Sequence, residues 1–297
     1  MKNGPATPHR ILPVFLCLSL ILSACNRAPD SKPDRPRTAS GVRMQDVRFY
    51  SAALGREMPY RVFLPVNLSV SEKLPVVYLL HGGDGGFRDW SNYSDVSTFA
   101  LQGLILVMPE GDFSYYMNAV ETPKDRYEDY ITKDLISDVE NRFPAERERK
   151  GRAVIGISMG GFAAVDYALL HPDLYAFAGA LSPAIDMPRR RFSMKRIGQW
   201  WRMRTIFGPF GNAERLARDP FELVRTADPL KTPYIFLTAG EQEPLLEPNL
   251  RFVARLKERG FAYEFHTKPG GHDWTEWDAQ IPGCFESLLK HIPAKTN

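Results

Sequence analysis

Cysteine is scarce: the 297-residue sequence has three, and only Cys284 lies outside the first 25 residues. Cys17 falls inside an N-terminal apolar stretch and Cys25 directly follows it, so a processed chain can form no internal disulfide, even in an oxidising compartment. Zinc-type Cys/His spacing is absent, and so is a glycine-rich phosphate loop; neither a metal nor an organic cofactor is expected. An excess of charge is also missing. The net charge of +3 is too small to imply a nucleic-acid partner. Internal repeats and a second domain are not visible. One apolar run stands out, residues 11–24, and it is too short to span a membrane comfortably.

That run sits behind Lys2, His9 and Arg10 and ends in small residues, the pattern of a secretory signal over residues 1–24. Leu22-Ser-Ala-Cys25 resembles the bacterial lipobox, which implies cleavage before Cys25 and a diacylglycerol on its sulfur. Residues 25–40 are polar with Pro29, Pro33 and Pro36, and read as an extended tether that buries no core. Asn26 resembles the outer-membrane sorting choice. The expected address is the bacterial cell envelope, lipid-anchored and facing the periplasm. Residues 41–297 have ordinary globular composition and form one domain.

Strand and helix signals alternate through this domain, which marks an α/β fold. Residues 47–50 and 60–64 read as early strands at an antiparallel edge. Residues 75–80, 104–108, 153–157, 176–181, 234–238 and 261–267 read as further strands. Helical spacing covers 127–143, 159–170, 248–259 and 276–291.

Gly156-Ile-Ser158-Met-Gly160 joins the 153–157 strand to the following helix, which is the sequence form of a nucleophile elbow. The glycines permit a turn too tight for side chains, and Ser158 is held exposed at a helix N-terminus. A serine hydroxyl is a weak nucleophile at neutral pH. It needs a base, and the base needs an anion to fix its tautomer. Of six histidines, His9 is in the signal and His81 in a turn before the elbow. His171 ends the elbow helix, where it is expected to cap carbonyls. His266 is within a strand and His291 within the last helix. That leaves His272, in the glycine-rich loop Pro269-Gly-Gly-His-Asp-Trp274 after the last strand. Glu241 and Glu243 both follow the penultimate strand and both qualify as the acid. Asp273 neighbours His272 too closely in sequence to turn toward it. Two backbone donors are expected for the oxyanion: Met159, next to the nucleophile, and Gly83, in the loop after residue 80.

These residues resemble the esterase D family of α/β-hydrolase serine esterases, which includes acetyl-xylan and feruloyl esterases, S-formylglutathione hydrolases and mycolyltransferases. The resemblance rests on Tyr78-Leu-Leu-His-Gly-Gly83 with Trp90, Arg126-Tyr-Glu-Asp-Tyr130, the elbow, His171-Pro-Asp-Leu174, Ala180-Leu-Ser-Pro183, and Gly270-Gly-His-Asp-Trp274 with Trp277. It implies a mostly parallel central sheet with helices on both faces and a short cap. The family sets its acid three residues after a glycine, which here selects Glu243 after Gly240. The usual residue is Asp, so Glu is a departure. The implied activity is hydrolysis of a small-molecule or glycan carboxylic ester by Ser158, His272 and Glu243. The alternatives are acyl transfer to an alcohol, as in the mycolyltransferases, and a non-catalytic binding module. A cytosolic glutathione-thioester hydrolase matches the motifs but not the export signal.

Residues 184–222 form the segment that covers the site in such enzymes. Here it carries Arg189, Arg190, Arg191, Lys195, Arg196, Arg202 and Arg204, with Trp200 and Trp201. Arg191, Trp200 and Trp201 are candidate substrate-cover residues. The charge reads either as a site for an anionic substrate or membrane headgroup, or as a solvated face.

Overall fold

A computed structural model of the chain describes Met1 and residues 33–68, 72–191, 194 and 197–292. Residues 2–32, which hold the signal segment, Cys25 and the first half of the tether, lie outside the described residues, as do Lys195 and Arg196. One compact unit spans Asp34–Asn297.

Eight strands form one sheet in the order β1-β2-β4-β3-β5-β6-β7-β8. Their spans are β1 Val42–Ser51, β2 Arg56–Pro65, β3 Val76–Leu80, β4 Ile105–Pro109, β5 Arg152–Ile157, β6 Phe177–Leu181, β7 Tyr234–Gly240 and β8 Tyr263–Lys268. β1 and β2 pair antiparallel, as does β2 with β4. From β4 to β8 every pairing is parallel. This is the α/β-hydrolase arrangement. The helices are α1 Asp89–Tyr93, α2 Tyr127–Asp129, α3 Ile136–Arg142, α4 Met159–Leu170, α5 Ile197–Phe207, α6 Ala213–Leu216, α7 Pro220–Thr226, α8 Leu246–Arg259 and α9 Trp274–His291.

The central strands are continuous apolar runs because both faces are covered. Val76, Tyr78 and Leu80 of β3 point into a core shared with α4 and α8, which supply Phe162, Val165, Phe252 and Leu256. Val77 and Leu79 alternate to the opposite core, built on Trp90, Ile281, Cys284 and Phe285 from α1 and α9. Cys284 is buried and free, an apolar filler on α9.

Two expectations need correction. Residues 127–143 are not one regular helix: a π-helical segment, Tyr130–Leu135, separates α2 from α3. Its wider turn still buries Tyr130, Ile131 and Leu135, so the apolar pattern survives the change of pitch. Residues 34–40 are not free tether. Arg37 N–H donates to Ser91 O (2.7 Å) and Ala39 N–H to Ser97 Oγ (3.0 Å). Asp34 accepts from the buried Arg61 guanidinium at 2.7 and 3.0 Å, and Asp46 takes the same cation at 2.7 and 2.9 Å. A buried cation is costly unless paired, so Arg61 recruits a carboxylate that the proline spacing alone assigns to a linker.

Candidate active site

The loops that carry the expected chemistry leave the C-terminal ends of β3, β5, β7 and β8, one edge of the sheet. β5 ends at Ile157 and α4 begins at Met159, so Ser158 alone makes the turn. It does so at φ +53°, a conformation rarely adopted by non-glycine residues. Its flanking glycines are required by contact. A Cβ on Gly156 would lie 2.1 Å from the backbone carbonyl carbon of Gly160, and one on Gly160 would lie 2.3 Å from Leu80 O. Ser158 N–H donates to Leu181 O, and Ser158 O accepts from Phe162 and Ala184 N–H, which ties the strained residue on three sides.

The turn after β7 is stitched to the loop after β8. Glu241 N–H donates to Lys268 O and Gln242 N–H to Gly270 O, both at 2.9 Å. Gly240 makes this possible, since a Cβ there would meet Gly270 O at 2.6 Å. Asp273 caps α9, accepting from Thr275 and Glu276 N–H, so it turns away from His272 as its position implies.

These constraints bring three side chains together. Ser158 Oγ lies 2.8 Å from His272 Nε2, and His272 Nδ1 lies 2.7 Å from Glu243 Oε2. A carboxylate can only accept, which puts the imidazole proton on Nδ1 and leaves Nε2 free to accept from the serine hydroxyl. The Glu243 side chain is 0% exposed and the His272 side chain 30% exposed, so the anion is shielded while the base meets solvent and ligand. Glu243 Oε1 also accepts from Gly240 N–H (3.1 Å). Of the two acids left open by position, Glu241 instead faces Thr267 Oγ1 at 3.5 Å.

The family model described as "Putative esterase" matches residues 51–288. The chain belongs to this esterase family. It is a carboxylic ester hydrolase. An acetyl esterase of Caldicellulosiruptor saccharolyticus is 25% identical over 262 residues, 83% of this chain and 98% of that protein. Esterase Rv1288 of Mycobacterium tuberculosis is 30% identical over 266 residues, 80% of this chain but 57% of its own length. Among solved structures, the fluorophosphonate-binding serine hydrolase F of Staphylococcus aureus shares the fold, with TM-score 0.72, 24% identity and coverage of 84% and 98%.

Around the esterase's three converging side chains, the loop after β3 lies directly over the nucleophile. A Cβ on Gly82 would sit 3.7 Å from Ser158 Cβ. Gly83 is covered by the Phe113 ring, which a Cβ there would meet at 2.9 Å; the close approach at this glycine is to an aromatic side chain. His81 is buried and structural. It accepts from Gly111 N–H at Nε2 (2.9 Å), which leaves Nδ1–H to donate to Gly82 O (2.7 Å). His171 does not cap carbonyls as its helix-end position suggests. Its Nε2 meets Glu128 Oε1 at 2.7 Å, because a buried carboxylate is a stronger partner than a solvated carbonyl.

Among the described residues, three arginines of the basic cover segment are paired with carboxylates. Arg189 pairs with Asp219 and Glu222, Arg190 with Asp186, and Arg204 with Glu121. Arg202 lies over Phe113 and Arg191 over Phe210. Trp200 and Trp201 pack edge to face, with Arg204 over both rings. Trp201 is 54% exposed and helps line a cavity of about 300 Å³ with Phe113, Met117, Tyr127 and Ile206. Trp200 is not among that cavity's lining residues, and neither is Arg191.

Glu276 escapes a search for chemistry because nothing marks it as reactive. It is buried under Gly270, accepts from Gln280 Nε2 at 2.9 Å and from Ser182 Oγ at 3.4 Å, and burial holds its carboxyl above the usual range. Asp273-Trp-Thr-Glu276 has the spacing of a capping box, the one sequence signal that points to it. Among the described residues no group of His, Cys, Asp and Glu side chains is placed to hold a metal ion, and no helix is long and apolar enough to cross a membrane.

Proposed function

We propose that this esterase works by an acyl-enzyme mechanism with Ser158 as nucleophile, His272 as general base and acid, and Glu243 as the anion that orients His272. The observation that carries the reading is the unbroken hydrogen-bonded chain Ser158–His272–Glu243 at a strained strand-to-helix turn. Ser158 Oγ attacks the ester carbonyl carbon as its proton passes to His272 Nε2. Met159 and Gly83 N–H groups receive the oxyanion, each such donor contributing about 10²–10³ in rate. The tetrahedral intermediate collapses, His272 protonates the departing alcohol, and water repeats the sequence to release the acid.

The substrate is a small-molecule or glycan ester. The 300 Å³ cavity receives its apolar part, since Phe113 on its wall also covers Gly83, next to the glycine over Ser158. Ser158→Ala should abolish turnover of p-nitrophenyl acetate and labelling by a fluorophosphonate probe while leaving the circular dichroism spectrum unchanged. Retained turnover in that variant rejects the assignment.

Residues 1–24 are proposed to direct export, with Cys25 lipidated as the anchor of an envelope-facing enzyme. The lipobox-like Leu22-Ser-Ala-Cys25 supports this. Metabolic labelling with radioactive palmitate in a bacterial host should mark the wild type and not Cys25→Ser; equal labelling of both sinks it.

A further inference from the structure

A second cavity lies away from the ester-cleaving centre. It is a cleft of about 780 Å³ between α8 on one side and α7 with the turn at Met187–Arg189 on the other. Ser158, His272 and Glu243 do not line it. Arg189, Arg190, Arg225, Arg251, Arg255 and Arg259 do. Three carboxylates accompany these six guanidinium groups: Asp186, Glu222 and Glu258.

Arg251, Arg255 and Arg259 recur every fourth residue along α8, and like charges at that spacing destabilise a helix. Their pairings are loose. Arg251–Glu247 and Arg255–Glu258 have both partners more than half exposed, so each is held weakly and exchanges readily. Arg189 is held by Asp219 and Arg190 by Asp186, while Glu222 is shared between Arg189 and Arg225. Arg259 donates to the carbonyl oxygens of Val224 and Ala227, acceptors without net charge. The cleft is not uniformly polar: Phe221, Val224 and Ala254 contribute apolar surface, with the Arg189 guanidinium 4.4 Å from the Phe221 ring centroid.

We propose that this cleft is a second binding site for a multiply charged phosphate compound. Guanidinium forks arrive from both walls, and a phosphoryl group offers three acceptor oxygens to them, whereas a carboxylate presents a single edge. The volume is that of a ligand site and not of a point contact. The phosphoryl groups belong either to a free solute or to a lipid headgroup, and the concave shape favours the free solute. This site also absorbs Arg189 and Arg190 of the basic cover segment, which the ester chemistry does not use. It does not depend on the identity of the nucleophile.

The test measures binding of inorganic tripolyphosphate to the full chain by calorimetry, and co-sedimentation with phosphatidylcholine vesicles made with and without phosphatidic acid. Tripolyphosphate should bind, raise the melting temperature, and lose affinity steeply with added salt. Arg251→Ser combined with Arg255→Ser, both exposed, should weaken binding by about tenfold or more while leaving kcat/KM for p-nitrophenyl acetate unchanged. Lysine at both positions should recover part of the affinity, because charge is kept and the fork is lost. Capture only by phosphatidic acid vesicles, abolished in the double serine variant, supports the site and identifies a headgroup as its source. No binding of either probe, or equal binding by wild type and double variant, overturns the proposal.

Discussion

Glu243→Gln alters one terminal group and removes almost no volume, yet it should disable the esterase. The two carboxylate oxygens have different neighbours: Oε1 accepts from Gly240 N–H, and Oε2 faces His272 Nδ1 at 2.7 Å. Gly240 N–H is buried and needs an acceptor, so the glutamine oxygen stays there. Its NH2 group then points at His272 Nδ1 and requires that nitrogen to accept. The proton moves to Nε2, the atom that must take the Ser158 proton. The equivalent acid-to-amide change in a Ser-His-Asp enzyme lowers kcat about 10⁴-fold, roughly 5 kcal/mol of barrier at 1.36 kcal/mol per decade. Glu243→Asp tests the arm length. Withdrawing the carboxylate by one methylene, about 1.5 Å, stretches the 2.7 Å contact beyond hydrogen-bond range. The bonds from Glu241 and Gln242 N–H to the β8 loop keep the backbone from following. The assay is kcat and KM on p-nitrophenyl acetate, with the fluorophosphonate reaction rate as a second reading of nucleophile activation. Glu243→Gln activity within about tenfold of wild type, or a larger loss in Glu241→Gln, would refute the assignment of the acid.

Trp201→Ala should open the 300 Å³ cavity and change the ratio of kcat/KM between aryl-acyl and acetyl esters, with acetyl turnover retained; an unchanged ratio removes the cavity from substrate selection. Gly156→Ala places a Cβ 2.1 Å from the Gly160 carbonyl carbon, backbone that cannot yield, and should cost about 3 kcal/mol or more in urea unfolding. Asp166 is buried on α4 with neither oxygen hydrogen-bonded, and burial holds its carboxyl well above the usual range against the opposing pull of Arg218. With a raised folded pKa its contribution to stability is complete below the unfolded value of about 3.9 and is lost as pH rises toward the folded one. Asp166→Asn, being neutral, should lack that decline; identical stability–pH curves for the two proteins would contradict it.

Parts of the fold and of the active centre are legible in the order of residues because their causes are local. β5, its elbow and α4 are contiguous, and the tight turn demands glycine at positions 156 and 160 whatever surrounds them. Apolar runs mark β3, β4 and β7 because both faces of each strand are covered. Other features depend on partners that spacing does not reveal. The basic cover segment suggested an open cationic surface, but Glu121, Asp219 and Glu222 reach it from outside its arginine run. Residues 34–40 looked like linker until Arg61 supplied a buried cation for Asp34.

By itself, then, the sequence determined the alternation of elements, the elbow, and a short set of candidates for the base and the acid, since each follows from steric and chemical demands within a few residues. The resemblance already pointed to Glu243 over Glu241, but only the tertiary structure supplies the contact, because the paired β7 and β8 loops bring the Glu243 carboxylate, and not that of Glu241, to His272. The tertiary structure alone brought the Arg251, Arg255 and Arg259 row of α8 into one cleft with Arg189, Arg190 and Arg225, because packing joins segments that no periodicity connects.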